Sequence, residues 1–244
     1  MAEEDLTAYA AEIRGLATAW APGGHEAKLR RPMEVLVGLE VDWFPGEREP
    51  GDHAFDSIAP DFLIGSVHFA EAAAGQPFTV DCSQERFDAA LAEAKTQGGD
   101  IHSLYRDFYK RQADMIDSGG FDILGHFDLI KKNNVGARLF DEGSRDYLDA
   151  AFEAASHLSP RGPVVEINLG GMARGKTKEP YPSLAILREL RRLDIPITFT
   201  ADAHQPAHLG VYLENAREYA RKAGYSTIRV LTKGNWLEVA INET

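Results

Sequence analysis

Apolar positions along this chain keep two different periods, and the two alternate. Leu6, Tyr9, Ala10, Ile13, Leu16, Ala17 and Trp20 recur close to every 3.6 residues, which predicts an amphipathic helix over residues 3–20. Short apolar runs of strand character follow at 35–39, 63–67, 121–125, 163–168, 197–201 and about 227–231. Helical stretches separate them, at about 84–96 and at 101–117, the second carrying Leu104, Phe108 and Met115 on one side and stopped by Gly119-Gly120. Tyr147, Leu148, Ala151, Phe152 and Ala155 mark another helix. Pro182-Ser183 opens one holding Leu184, Leu187 and Leu190, and a last one near 213–223 ends at Gly224. Strands that alternate with helices predict an α/β fold with a mostly parallel sheet.

Five of these strands run into residues able to bind a metal. They are Glu40, His68, His126, Glu166 with Asn168, and Asp202 with His204. In parallel barrels the catalytic groups gather at the carboxyl ends of the strands, around one mouth. The succession therefore predicts a closed or nearly closed barrel rather than an open doubly wound sheet, with one polynuclear metal site. Asp202-Ala203-His204 is the strongest local signal, because residues two apart at a strand end point the same way. Glu40 follows an apolar run, where a carboxylate is costly unless paired or metal-bound, and a carboxylate can bridge two cations. His68 and His126 taken singly read as ordinary core or surface histidines; beside Asp202 and His204 they read as ligands. Mixed imidazole and carboxylate donors suit zinc, iron or manganese better than calcium. Glu166 and Asn168 are either outer supports or plain strand polars. His25, His53, His102 and His157 read as structural or exposed, while His208 is placed to face the mouth without being a strong ligand candidate. Lys131 and Lys132, and the basic loop with Arg174, Lys176 and Lys178, emerge at the same mouth. They suit a phosphate group, against the plainer reading of a solvated basic patch.

Composition narrows the classes. The 244 residues read as one domain, 1–244, with no repeat, linker or low-complexity tract. A net charge of −12 weighs against a broad nucleic-acid surface, and an anionic substrate would need bound cations to reverse the local field. The lone Cys82 rules out an internal disulfide and fits a reducing compartment. No apolar run reaches the ~20 residues of a membrane helix, and the acidic opening argues against a leader, so the expected location is the cytoplasm. The chain has no glycine-rich phosphate loop.

With these residues in place the chain resembles the polymerase-and-histidinol-phosphatase (PHP) superfamily, and within it the histidinol-phosphate phosphatase branch. Segments 38–42, 66–69, 125–128, 166–168 and 201–204 carry the likeness, with Tyr181-Pro182-Ser183 and residues 206–210. The resemblance implies a distorted (β/α)7 TIM-like barrel with two or three divalent ions at its mouth. It implies Glu40, His68, His126, Asp202 and His204 as ligands, Glu40 bridging, and Lys131 near a substrate phosphate. It also implies metal-assisted phosphomonoester hydrolysis, with L-histidinol phosphate as substrate. Glu40 and Asp202 are then the catalytic candidates, and Lys131, Arg174 and Lys176 the substrate-binding ones. A nucleotide or other small phosphoester is the alternative substrate, and a non-catalytic barrel remnant the alternative class. The family's opening His-x-His strand and the next ligand-bearing strand have no counterpart here; His25 sits in a Pro-Gly-Gly loop. The expectation is an N-terminally shortened barrel lacking two strands and about three ligands, with a natural reduced site or a remnant as the alternatives. Sheet edges so exposed invite pairing, so a homo-oligomer is expected.

Overall fold

A computed structural model describes residues 3–28 and 31–242. The domain range 1–244 thus includes six positions (1, 2, 29, 30, 243 and 244) outside the described residues. Helix α1 (Glu3–Trp20) leads to strand β1 (Gly38–Asp42), a 3-10 turn (His53–Ile58) and β2 (Phe62–Ser66). A small hairpin, β3 (Phe69–Glu71) and β4 (Pro77–Thr79), precedes α2 (Gln84–Thr96) and α3 (Ile101–Ser118). Then come β5 (Ile123–Leu124), a 3-10 turn (Leu129–Asn133), α4 (Arg145–Ser156) and β6 (Val164–Asn168). The chain continues through α5 (Gly170–Ala173), α6 (Leu184–Arg192), β7 (Ile197–Thr200) and a 3-10 turn (Pro206–His208). It closes with α7 (Leu213–Ala223), β8 (Thr227–Thr232) and β9 (Asn235–Ala240).

The five central strands pair in parallel in the order β1-β2-β5-β6-β7. Spatial order follows chain order, so the sheet winds one way, as in a barrel, and lacks the reversal that defines a doubly wound sheet. Helices α3, α4, α6 and α7 pack in succession against one another. The closed or nearly closed barrel expected from the strand ends is not what the described residues form. The sheet stays open, with β1 and β7 at its two ends. The reason lies in β8, which packs beside β7 but gives its backbone hydrogen bonds to β9 in an antiparallel hairpin.

Local chemistry accounts for the helices. Asp100 caps α3 by accepting from Ser103 N at 2.7 Å, and Ser83 and Ser144 cap α2 and α4. Gly119 and Gly224 end α3 and α7 at φ 71° and 98°, where a side chain is disfavoured. On α3, Leu104, Tyr105, Phe108, Tyr109, Gln112 and Met115 are buried at helical spacing in one large core. A smaller core sits under α1 and joins Leu6 and Ala10 to Val37, Val41, Phe55 and Ile58. Of the apolar positions expected on α1, Leu16 is 43% exposed, and Ala17 lines an open groove with Met33 and Val35.

Strand boundaries shift in one useful way. Residues 35–37 lie outside the strand, and the ladder with β2 starts at Gly38↔Phe62. Glu40 consequently stands inside β1 rather than after it. Likewise Glu166 and Asn168 lie within β6. The hairpin β3–β4 and strand β9 are not among the elements that the apolar pattern predicts; three-residue strands carry too little alternation to register.

Phe108 is wholly buried between helices and sheet. Replacing it with alanine leaves a cavity, and the expected loss is about 3–5 kcal/mol by denaturant unfolding in the presence of a chelator; a loss below about 1 kcal/mol contradicts this packing.

Candidate metal centre

Strands β1, β2 and β5 are neighbours, so their carboxyl ends lie side by side. Glu40 projects from β1, His68 stands two residues past β2, and His126 two residues past β5. Their donor atoms converge. Glu40 Oε1 lies 2.9 Å from His126 Nε2 and 3.4 Å from His68 Nε2, and the two Nε2 atoms are 3.1 Å apart. Two imidazole nitrogens at that separation repel unless a proton or a cation lies between them. The three spacings bracket the edge of a zinc tetrahedron, about 3.3 Å for bonds of about 2.0–2.1 Å. One carboxylate and two imidazoles are also the donor chemistry of catalytic zinc sites. The residues present therefore fit a divalent cation, and no other His, Cys, Asp or Glu among the described residues joins this group of three.

Without a cation, protons do the same work. Burial pushes the Glu40 carboxyl up, but hydrogen bonds and charge from His126 and His68, with the Ser66 hydroxyl, outweigh it and bring the value to about 2. Burial opposes the charge on His126, yet Glu40 first, then Glu166 and Asp202, lift it to about 9. The cluster holds a proton that a cation would displace.

Supporting residues fix the three side chains. Ser66 Oγ donates to Glu40 Oε1 at 2.7 Å. His68 Nδ1 hydrogen-bonds Asp42 Oδ1. Buried Glu166 accepts from His126 N at 2.6 Å, Asn168 Nδ2 at 2.8 Å and Thr200 Oγ1 at 2.6 Å, so β6 and β7 both brace the turn that carries His126. Gly125 is needed for a close approach, since a Cβ there would stand 2.3 Å from Ser66 Oγ. Asp42, Ser66 and Thr200 are the site residues that sequence reasoning missed. A signal existed for Asp42: it follows Glu40 by two positions on one strand and so shares its face.

Asp202 and His204 form a second group at the end of β7. Asp202 takes φ 43°, left-handed, and its Oδ2 accepts from Arg174 at 2.9 Å. Arg174 also reaches Asp202 O at 2.9 Å and His204 Nδ1 at 3.0 Å. Gly170 makes room here, because a Cβ would lie 2.4 Å from Asp202 Oδ2. An arginine thus supplies the positive charge beside these two candidates, which the structure keeps apart from the Glu40 group. Lys131 is buried; its Nζ lies 3.0 Å from Asp128 and 3.1 Å from Glu179, over the Tyr181 ring. Burial works against the Lys131 charge, but Asp128 and Glu179 outweigh it and hold the ammonium protonated. Lys131 also lines a cavity of about 320 Å³ with exposed Lys176 and with Lys178, Glu142 and Glu179. Lys132 pairs with Asp81. His208 is half-buried with its Nδ1 unpartnered among the described residues, while His25, His53 and His102 are exposed and His157 pairs with Asp117.

The proton-sharing pair predicts how the metal-free chain responds to pH. His126, raised to about 9, contributes stability that is complete below its ordinary 6.5 and is lost as pH rises through 9. Glu40, lowered to about 2, contributes above its ordinary 4.5 and is lost as pH falls through 2. Melting temperatures measured in chelator should therefore fall between about pH 6.5 and 9, and His126→Gln should flatten that decline. An equally steep decline in the variant contradicts the assignment.

No protein-family model matches the chain. It is 28% identical over 225 residues to a probable histidinol-phosphatase of Deinococcus radiodurans, covering 92% of this chain and 75% of that protein. It is 25% identical over 204 residues to a probable histidinol-phosphatase of Schizosaccharomyces pombe, covering 83% of this chain and 64% of the relative. A histidinol-phosphatase of Bacillus subtilis is 23% identical over 221 residues, with 88% and 76% covered. Among solved structures, a putative histidinol phosphatase of Listeria monocytogenes shares the fold with a TM-score of 0.63 at 19% identity, over 88% of this chain and 77% of that one. A histidinol phosphate phosphatase of Lactococcus lactis, complexed with zinc, L-histidinol and phosphate, gives 0.59 at 19% identity, over 93% and 78%. Three sequence relatives thus agree on what this chain is similar to over most of its length: histidinol-phosphatases.

Proposed function

We propose that this chain is a metal-dependent phosphomonoesterase that hydrolyses L-histidinol phosphate to L-histidinol and phosphate, a step of histidine biosynthesis. The convergence of Glu40, His68 and His126 at three adjacent strand ends carries the reading. The likeness to histidinol-phosphatases, one of them solved with zinc, L-histidinol and phosphate, directs it to this substrate. Divalent cations held by Glu40, His68 and His126 would supply positive charge against the phosphate oxygens and acidify a water for attack at phosphorus.

The chain's own groups have the following parts in this reading. Glu40, held by Ser66, faces both imidazoles and would be a carboxylate ligand shared within the site. Asp202 and His204 would complete a site for two or three ions of zinc, iron or manganese, and Asp202 would accept a proton there. Arg174 contacts both Asp202 and His204 with a planar donor fork suited to phosphate oxygens. Lys131 and Lys176 add positive charge from the neighbouring cavity, which matters in a chain of net charge −12. On the same reading the open sheet is the larger part of a single distorted (β/α)7 barrel, two strands short, in a cytoplasmic homo-oligomer. No described helix is long and apolar enough to cross a membrane.

Phosphate release from L-histidinol phosphate with added Mn²⁺ tests the proposal. Turnover should stop in chelator, return with metal, and fall at least about 100-fold in Glu40→Gln. Turnover of nucleoside monophosphates alone would move the substrate class, and metal binding without any phosphatase activity would overturn the catalytic reading.

A further inference from the structure

We propose that Asp42 is the positioning residue that sets His68 for metal binding, an inference that rests on the reading of the Glu40, His68 and His126 group as a cation site. His68 has two ring nitrogens with different surroundings. Nε2 faces Glu40 and His126, whereas Nδ1 faces Asp42 Oδ1. A carboxylate accepts, so Nδ1 must donate. The proton is thereby fixed on Nδ1 and the lone pair on Nε2, pointing into the cluster. Histidine ligands are commonly oriented by a carboxylate in this manner, which also makes the ligating nitrogen more basic.

The backbone gives Asp42 this position. Asp42 follows Glu40 by two residues on β1, so both side chains leave the strand on one face. Its register partner is Ser66, the residue whose hydroxyl holds Glu40, and Trp43 N donates to Ser66 O at 2.9 Å just beyond. One strand therefore supplies a ligand, Glu40, and the group that orients a second ligand.

Contrast with His126 sharpens the assignment. His126 Nδ1 is buried with no partner among the described residues. That ring is held by packing, with the Tyr181 ring 6.5 Å away, and by its own N–H on Glu166. The His68 side chain is 17% exposed against 7% for His126. The less enclosed histidine is the one with a carboxylate behind it, so loss of Asp42 should free the His68 ring to rotate and change tautomer.

The test is metal affinity, read by competition with a chromophoric chelator, on wild type, Asp42→Ala, Asp42→Asn and the exposed control Asp56→Ala. Asp42→Ala is expected to bind Zn²⁺ about 10- to 100-fold more weakly, Asp42→Asn to fall between, and Asp56→Ala to match wild type. Melting temperatures in chelator should not separate the Asp42 variants from wild type, because the effect is on the ligand and not on the core. Independently of any variant, ¹⁵N-histidine spectra of the zinc-loaded wild type should show His68 coordinated through Nε2 with its proton on Nδ1. Coordination through Nδ1, or wild-type affinity in Asp42→Ala, overturns the role of Asp42 while leaving the cation site standing. Absence of Zn²⁺ binding by the wild-type chain overturns both.

Discussion

Parallel pairing of β1, β2 and β5 brings residues 40, 68 and 126 into one small volume although long stretches of chain separate them. Once a carboxylate and two imidazoles meet within 3.4 Å, electrostatics allows few arrangements. Facing nitrogen lone pairs at 3.1 Å require a proton or a cation at the cluster. In the metal-free chain the hydrogen bond and charge between His126 and Glu40 raise the one and lower the other. A divalent cation satisfies the same three donors at once. Sheet pairing thus determines where charge must be placed, and the chemistry of the site follows.

The surrounding residues serve that arrangement. Glu166 ties β6 and β7 to the turn carrying His126 through three hydrogen bonds, so a displacement of either strand would move His126. Glycines at 125 and 170 are spaces kept free for Ser66 and Asp202. Behind the sheet, helices α3, α4 and α6 bury the large aromatic and aliphatic side chains that hold the strands in register. Asp202, His204 and Arg174 form a neighbouring charged group of mixed sign. Its arginine places positive charge where an acidic chain would otherwise repel a phosphate.

Much of this was legible in the sequence, for reasons that differ between elements. Helices α2 and α7 lie where the sequence puts them, and Gly224, which ends α7, is a strong local signal. The ligand-bearing strand ends were visible as apolar runs stopping on Glu, His or Asp. Closure was not legible, since whether β8 joins β7 or turns back onto β9 depends on tertiary packing and not on alternation. Nor was the division of the five candidates into a cluster of three and a separate pair. Spacing along the chain does not reveal that Arg174 reaches both Asp202 and His204. Nor does spacing show that the Lys131 charge is engaged by buried Asp128 and partly exposed Glu179, partners 3 and 48 residues away.

A crystal structure of the zinc-soaked chain, with anomalous scattering recorded at the zinc edge, would decide whether the three convergent side chains hold a cation. An anomalous peak is predicted about 2.0–2.1 Å from Glu40 Oε1, His68 Nε2 and His126 Nε2. Zinc bound elsewhere, with these three side chains still bridged only by protons, would contradict the metal centre.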